Sequence, residues 1–196
     1  VTFHDGSKFT AEDVMASYER VKNDEKFPAH GMMQRVESMS APDDYTFKIT
    51  LKEPFSPFMA RLATMKLTIL PAEQAKKSKV EEPIGTGPFK FVSQDPGTSF
   101  TMERFDDYWD DSIEGPYLEK IEKKAIEDPS VRLQSFFSGD FDFINGVSAK
   151  DVDRVESKGG VNLETQFPKM LVYLGMNCKR KPFDDKHARL ALNYAI

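Results

Sequence analysis

The chain has 196 residues, a formal net charge of −5 and 39% hydrophobic residues, with sixteen phenylalanines. That length can bury a sizeable core as one large domain or two small ones, and the Phe content marks a globular rather than a disordered chain. The acidic balance excludes a nucleic-acid backbone as partner, the single Cys178 excludes an internal disulfide framework, and no apolar run reaches the ~20 residues that span a bilayer.

Val1-Thr2-Phe3 reads as the tail of a strand, and His4-Asp5-Gly6-Ser7 carries an Asp-Gly turn. Thr10 is placed to cap a helix, with Asp13 as the acidic member of a capping box and Val14, Tyr18 and Val21 on the inward face. Tyr45 to Lys52 alternates apolar and polar residues, which predicts a half-buried strand ended by Pro54. Pro57 opens a short helix with Phe58, Met59 and Leu62 inward, and Lys66 to Leu70 is expected as a strand stopped by Pro71.

Pro83-Ile84-Gly85-Thr86-Gly87-Pro88-Phe89 follows, with two prolines bracketing two glycines. Gly85 and Gly87 can take φ > 0 without steric cost, while Pro83 and Pro88 fix φ, so a sharp bend delivering the chain into a strand is expected. Phe89–Ser93 and Ser99–Phe105 then form a hairpin about Asp95-Pro96-Gly97. An acidic, aromatic loop from Asp106 to Gly115 holds the only tryptophan, Trp109, and leads to a strand over Leu118–Ala125. Asp128-Pro129 starts a helix that Gly139 closes, and Phe141 to Ile144 is expected as a short strand. Ser148 with Asp151 caps a further helix ending at Gly159-Gly160; Val161–Phe167 and Leu171–Cys178 are expected strands, and Asp184 caps a last helix. The order is mixed α and β with hairpins and no regular βαβ repetition, so the fold class is mixed α/β or α+β. The last helical pattern has no C-cap and the first residue is not Met, which suggests a piece of a longer protein.

Catalytic and metal chemistry find no pattern. His4, His30 and His187 are scattered and read as surface or loop residues; the acidic loop lacks the alternation and central glycine of a calcium loop. No Gly-Lys-Ser/Thr follows Gly85-Thr86-Gly87, so it is no phosphate loop; no G-x-S-x-G elbow exists and Cys178 has no His partner. The basic runs Lys76-Lys77 with Lys79 and Lys179-Arg180-Lys181 read as solvated faces or helix ends. Phe143-Ile144-Asn145-Gly146 sets apolar side chains beside backbone polar groups, which suits a pocket and equally a strand end in any core. Tyr173 and Asn177 would share one strand face, with polar tips toward a ligand or toward solvent.

Several stretches together resemble one family: Phe3 to Val14, Pro83 to Phe89, Tyr108-Trp109, and Asn177 followed by Pro182-Phe183-Asp184-Asp185, Arg189, Ala191-Leu192 and Ala195-Ile196. In this order and spacing the chain is similar to the family 5 extracellular solute-binding proteins, the dipeptide-, oligopeptide- and nickel-binding components of ABC importers. The resemblance implies a partial type II periplasmic-binding-protein clamp: residues 1–82 as an inserted α+β subdomain, 83–178 as part of the first ligand-binding lobe, and 179–196 as the crossover and start of the second lobe. It implies no enzymatic activity, no cofactor and no metal in the protein itself. It implies a monomer that binds a peptide or other small solute and delivers it to permease subunits, in the periplasm or as a cell-surface lipoprotein. Ligand contacts are expected from Phe143, Ile144, Asn145, Gly146, Tyr173 and Asn177, with Gly85, Thr86 and Gly87 as a structural junction away from ligand. Nickel, sugar or opine binding on the same scaffold, a hydrolase and a protein-interaction module are the alternatives.

Overall fold

Thr10 and Asp13 close the expected capping box, and the helix they start, α1 (Ala11–Asn23), organises the first half of the chain. The computed structural model describes residues 1–112, 114–166 and 173–195, in two units, Val1–Ser135 and Phe136–Ile196. In the first unit α1 is followed by α2 (His30–Met33), the antiparallel pair β1 (Val36–Asp43) and β2 (Thr46–Leu51), and α3 (Phe58–Leu62). A 3-10 turn at Met65–Leu67 and α4 (Ala72–Ala75) precede a second antiparallel sheet of β3 (Phe89–Asp95), β4 (Ser99–Arg104) and β5 (Lys120–Lys124), in the order β3-β4-β5. Helix α5 (Pro129–Ser138) follows. The second unit holds a 3-10 turn at Ala149–Asp151, α6 (Val152–Glu156) and α7 (Lys186–Ala195).

Tyr18 and Val21 of α1 are buried in one core with Ala29, Met33, Val36, Phe58 and Leu67, and Phe47, Ile49 and Leu51 of β2 pack against it. The alternation read in β2 is the observed one, with Lys48 and Thr50 turned outward. The β3–β4 hairpin turns as predicted at Asp95-Pro96-Gly97, where Gly97 takes φ +78° and the Thr98 N–H donates to the Asp95 carbonyl at 3.0 Å. By register, Phe89, Phe91, Phe100, Met102 and Ile121 share one face of the three-stranded sheet, and each is only half-buried. Asp128 starts α5, its carboxylate accepting from the Ser130 and Val131 N–H groups, and Gly139 ends it at φ +88°.

Several expectations are corrected. Met59 is 74% exposed, because α3 turns only its Phe58 side fully into the core. Lys66–Leu70 is no strand: its first residues form the 3-10 turn, and Leu70 finds its backbone partners on a side chain, its N–H donating to Ser17 Oγ at 2.9 Å and its carbonyl accepting from that hydroxyl at 3.2 Å. At the N-terminus, Thr2 makes only an isolated bridge to Lys8. Phe141–Ile144 forms no strand. Residues 161–166 and 173–178 form no strand either, while Phe167, Leu171 and Val172 of those two expected strands lie outside the described residues. The cap of α7 is Asp185, whose carboxylate accepts from the His187 N–H at 2.8 Å, one residue beyond Asp184. Strand β1 was not anticipated: Val36-Glu37-Ser38-Met39-Ser40-Ala41-Pro42-Asp43 has weak alternation and a proline, and it pairs with β2 through two register shifts.

Asp13 does more than cap. Its Oδ2 accepts from the Thr10 N–H at 2.8 Å and from the Thr10 hydroxyl at 3.0 Å, while its Oδ1 accepts from the Ala72 N–H at 2.8 Å and so ties α4 to α1. The carboxylate is only 8% exposed, so its donors have little access to water as a replacement. Asp13→Ala is expected to cost about 2–3 kcal/mol in urea unfolding, the penalty of stranding two backbone N–H groups; a loss below about 0.5 kcal/mol would show that water takes over the bonds.

Candidate functional site

The Gly85-Thr86-Gly87 bend is built from outside rather than from its own glycines. Neither glycine has positive φ, so the left-handed freedom anticipated for them is not used. The bend is instead spanned by the imidazole of His4. The Gly85 N–H donates to His4 Nδ1 at 3.2 Å, and His4 Nε2 lies 2.9 Å from the Gly87 carbonyl; a neutral ring with its proton on Nε2 satisfies both. The His4 N–H donates to the Gly85 carbonyl at 2.9 Å. The ring meets Phe105 edge-on at 5.1 Å between centroids, and the Phe105 N–H donates to the Pro88 carbonyl at 3.0 Å. From the acidic loop, the Trp109 indole N–H donates to the Thr86 carbonyl at 3.2 Å. A Cβ on Gly85 would stand 3.5 Å from His4 Cε1, an ordinary van der Waals contact, so the ring packs against the bend without requiring a glycine there.

The turn that presents His4 is set by Asp5, whose carboxylate accepts from the Ser7 hydroxyl at 2.6 Å and from the Ser7 N–H at 3.0 Å. Those two bonds, the hydroxyl's first, hold the Asp5 carboxyl below its ordinary range. Sequence reading set His4 aside as a loop residue, because its partners lie more than eighty positions away and leave no local signal.

The residues expected to meet ligand all lie in the second unit. Phe143 is 81% exposed, Ile144 is half-buried, Asn145 and Gly146 are exposed, and Gly146 takes φ +70°. Tyr173 is 79% exposed; Asn177 is exposed, its side-chain oxygen accepting from the Lys179 N–H at 3.0 Å and its carbonyl from the Arg180 N–H at 3.0 Å. Neither stretch belongs to a sheet. Both present apolar rings and non-helical backbone to solvent, a combination suited to holding an extended, hydrogen-bonding ligand.

Two surface cavities in the first unit involve none of these residues. One, of about 300 Å³, lies between α1 and the end of α4 and is lined by Arg20, Asn23, Phe27 and Lys77 among others; the Arg20 guanidinium sits 5.2 Å from the Phe27 ring centre. The other, of about 320 Å³, is lined by Arg104, Asp106, Tyr108, Asp110 and Asp111, with Arg104 paired to Asp106 at 2.7 Å. Among the described residues no group of three or more His, Cys, Asp or Glu is arranged to hold a metal ion, and no helix is long and apolar enough to cross a membrane.

Residues 1–196 match the family model of the bacterial extracellular solute-binding proteins, family 5 middle. The chain belongs to this family. Among family 5 relatives, the glutathione-binding protein GsiB of Pectobacterium atrosepticum is 32% identical over 200 residues, which cover 100% of this chain and 38% of that protein. The oligopeptide-binding protein AppA of Bacillus subtilis, solved in complex with a nonapeptide, matches 100% of this chain and 40% of its own at a TM-score of 0.81 and 29% identity. NikZ of Campylobacter jejuni, solved in complex with Ni(L-His), matches 100% of this chain and 40% of its own at a TM-score of 0.78 and 25% identity. The chain therefore spans about two fifths of the length of these family 5 proteins.

Because Gly87 has open space around its Cα and no positive φ, Gly87→Ala should change stability by less than about 0.5 kcal/mol in thermal unfolding. Gly97→Ala, forced to φ +78° in the hairpin turn, should lose about 1 kcal/mol. The reverse ranking would mean that the bend does depend on glycine conformation.

Proposed function

We propose that this chain is part of the substrate-capture subunit of an ABC importer for di- or oligopeptides. Its ligand is enclosed by hinge closure of two lobes and handed to permease subunits, with the protein acting as a monomer in the periplasm or at the cell surface. In this reading residues 1–82 form the inserted subdomain, 83–178 part of the first ligand-binding lobe and 179–196 the crossover. Phe143, Ile144, Asn145, Gly146, Tyr173 and Asn177 face the cleft, and Gly85-Thr86-Gly87 is a junction remote from ligand. The observation that carries the proposal is the unbroken family 5 match, together with relatives named for glutathione, itself a peptide, and for an oligopeptide.

One physical feature supports it. In the first unit, one face of the β3-β4-β5 sheet, with Phe89, Phe91, Phe100, Met102 and Ile121, is only half-buried. Such surface suits one part of a larger clamp. Contacts made by both lobes in the closed state would bias the hinge, since a ligand shifts an equilibrium only by its differential affinity for the two states.

A second reading, capture of a nickel chelate, is favoured by the likeness to NikZ. Calorimetry on the longer protein that carries this chain, titrated with glutathione, a mixed tetrapeptide pool and nickel–histidine, separates the two. Saturable binding of peptide with none of the chelate is expected, and binding of the chelate alone would overturn the peptide reading. Phe143→Ala should weaken the peptide titration about tenfold, as expected for one apolar contact, without lowering the melting temperature of a side chain that is already exposed. The 196-residue chain alone should bind at least about a hundredfold more weakly, since the far lobe's hydrogen bonds at ~1 kcal/mol each are missing; equal affinity would contradict the two-lobe mechanism.

A further inference from the structure

We propose that His4 and Trp109 form a two-sided latch on the Gly85-Thr86-Gly87 bend, making the N-terminal turn, the bend and the start of the loop after β4 one mechanical body. The inference rests on the first unit alone and stands apart from the solute the protein carries. Four successive carbonyls, those of Gly85, Thr86, Gly87 and Pro88, each accept a bond from a residue far away in sequence. The donors are the His4 N–H, the Trp109 indole, the His4 ring and the Phe105 N–H, in that order. The Gly85 N–H is taken as well, by His4 Nδ1. A backbone with no sheet or helix of its own thus has its polar groups satisfied by two other segments, which meets the requirement that half-buried peptide groups be paired.

Each member does something a generic loop residue would not. His4 supplies an acceptor and a donor on opposite sides of one flat ring, which reaches across the bend from the Gly85 N–H to the Gly87 carbonyl. Trp109, the only tryptophan of the chain, bonds the peptide group lying between the two that His4 holds. Releasing the imidazole bonds frees the Gly85 N–H on one side of Thr86 and the Gly87 carbonyl on the other, so the Trp109 bond should loosen with them. His4 is therefore a positioning residue for the bend, and the state of Trp109 reports it.

The single indole N–H gives one resolved nitrogen–proton NMR signal, whose solvent exchange in the full chain reads the latch directly. In His4→Phe, which keeps a ring against Phe105 and loses both imidazole bonds, the indole should exchange about tenfold faster than in the unsubstituted chain, as expected for loss of one hydrogen bond's worth of protection. His4→Asn, which can keep an acceptor for Gly85, and His4→Gln, which can keep a donor to Gly87, should fall between. The α1 amides should be unmoved. An indole signal with unchanged position and exchange in folded His4→Phe overturns the latch. If His4→Phe does not fold, the reverse arm decides: Trp109→Phe should speed exchange of the Gly85 amide, and unchanged Gly85 protection overturns the proposal.

Discussion

Segment 65–88 has almost no regular structure, and the first unit depends on how its backbone is satisfied. It contains a single 3-10 turn and a four-residue helix between α3 and β3. Several of its peptide groups are met instead by side chains from the first seventeen residues. Ser17 holds both polar groups of Leu70, Asp13 holds the Ala72 N–H, and His4 holds Gly85 and Gly87. Gln74 closes the remaining gap from within, accepting from the Ile84 N–H and donating to the Glu82 carbonyl. Each of these bonds is worth only about 1 kcal/mol net, but leaving a half-buried group unpaired costs more, so the set specifies one path for the chain where no ladder of backbone bonds could.

That arrangement explains what could be read in the sequence. Features carried by neighbouring residues were legible: the Thr10–Asp13 box, the alternation of β2, the Asp95-Pro96-Gly97 hairpin and the Asp128-Pro129 start of α5 each pair a local pattern with its local consequence. Lys66–Leu70 read as a strand because it is apolar and ends before proline, yet its first residues form a 3-10 turn and Ser17 supplies the bonds of Leu70. The glycines of the bend suggested positive φ, whereas neither adopts it and the bend is held by the imidazole of a residue eighty-one positions earlier, which accepts from the Gly85 N–H. The cap of α7 slipped by one because Asp184 and Asp185 are chemically identical, and only the helix register distinguishes them.

Family membership was legible for a related reason. The motifs that carried the resemblance include the very residues that make the long-range ties: His4 in the first, Gly85 to Pro88 in the second and Trp109 in the third. A bend whose carbonyls are met by fixed partners constrains residue type at several distant positions at once. The expected ligand residues, by contrast, lie on irregular backbone and are mostly exposed, with local features such as the φ +70° of Gly146 and the turn Asn177 closes on Lys179. Substrate is thus the least legible property, consistent with relatives that carry glutathione, a nonapeptide or a nickel–histidine complex on related chains.

The proposed clamp makes these parts one machine, with a stitched subdomain and a half-covered sheet serving as the fixed side against which a second lobe closes. Small-angle X-ray scattering of the longer protein, recorded with and without a bound peptide, tests that claim most directly. Hinge closure predicts a smaller radius of gyration at saturating peptide, returning to the open value when the peptide is removed. A radius unchanged while peptide is demonstrably bound would contradict it.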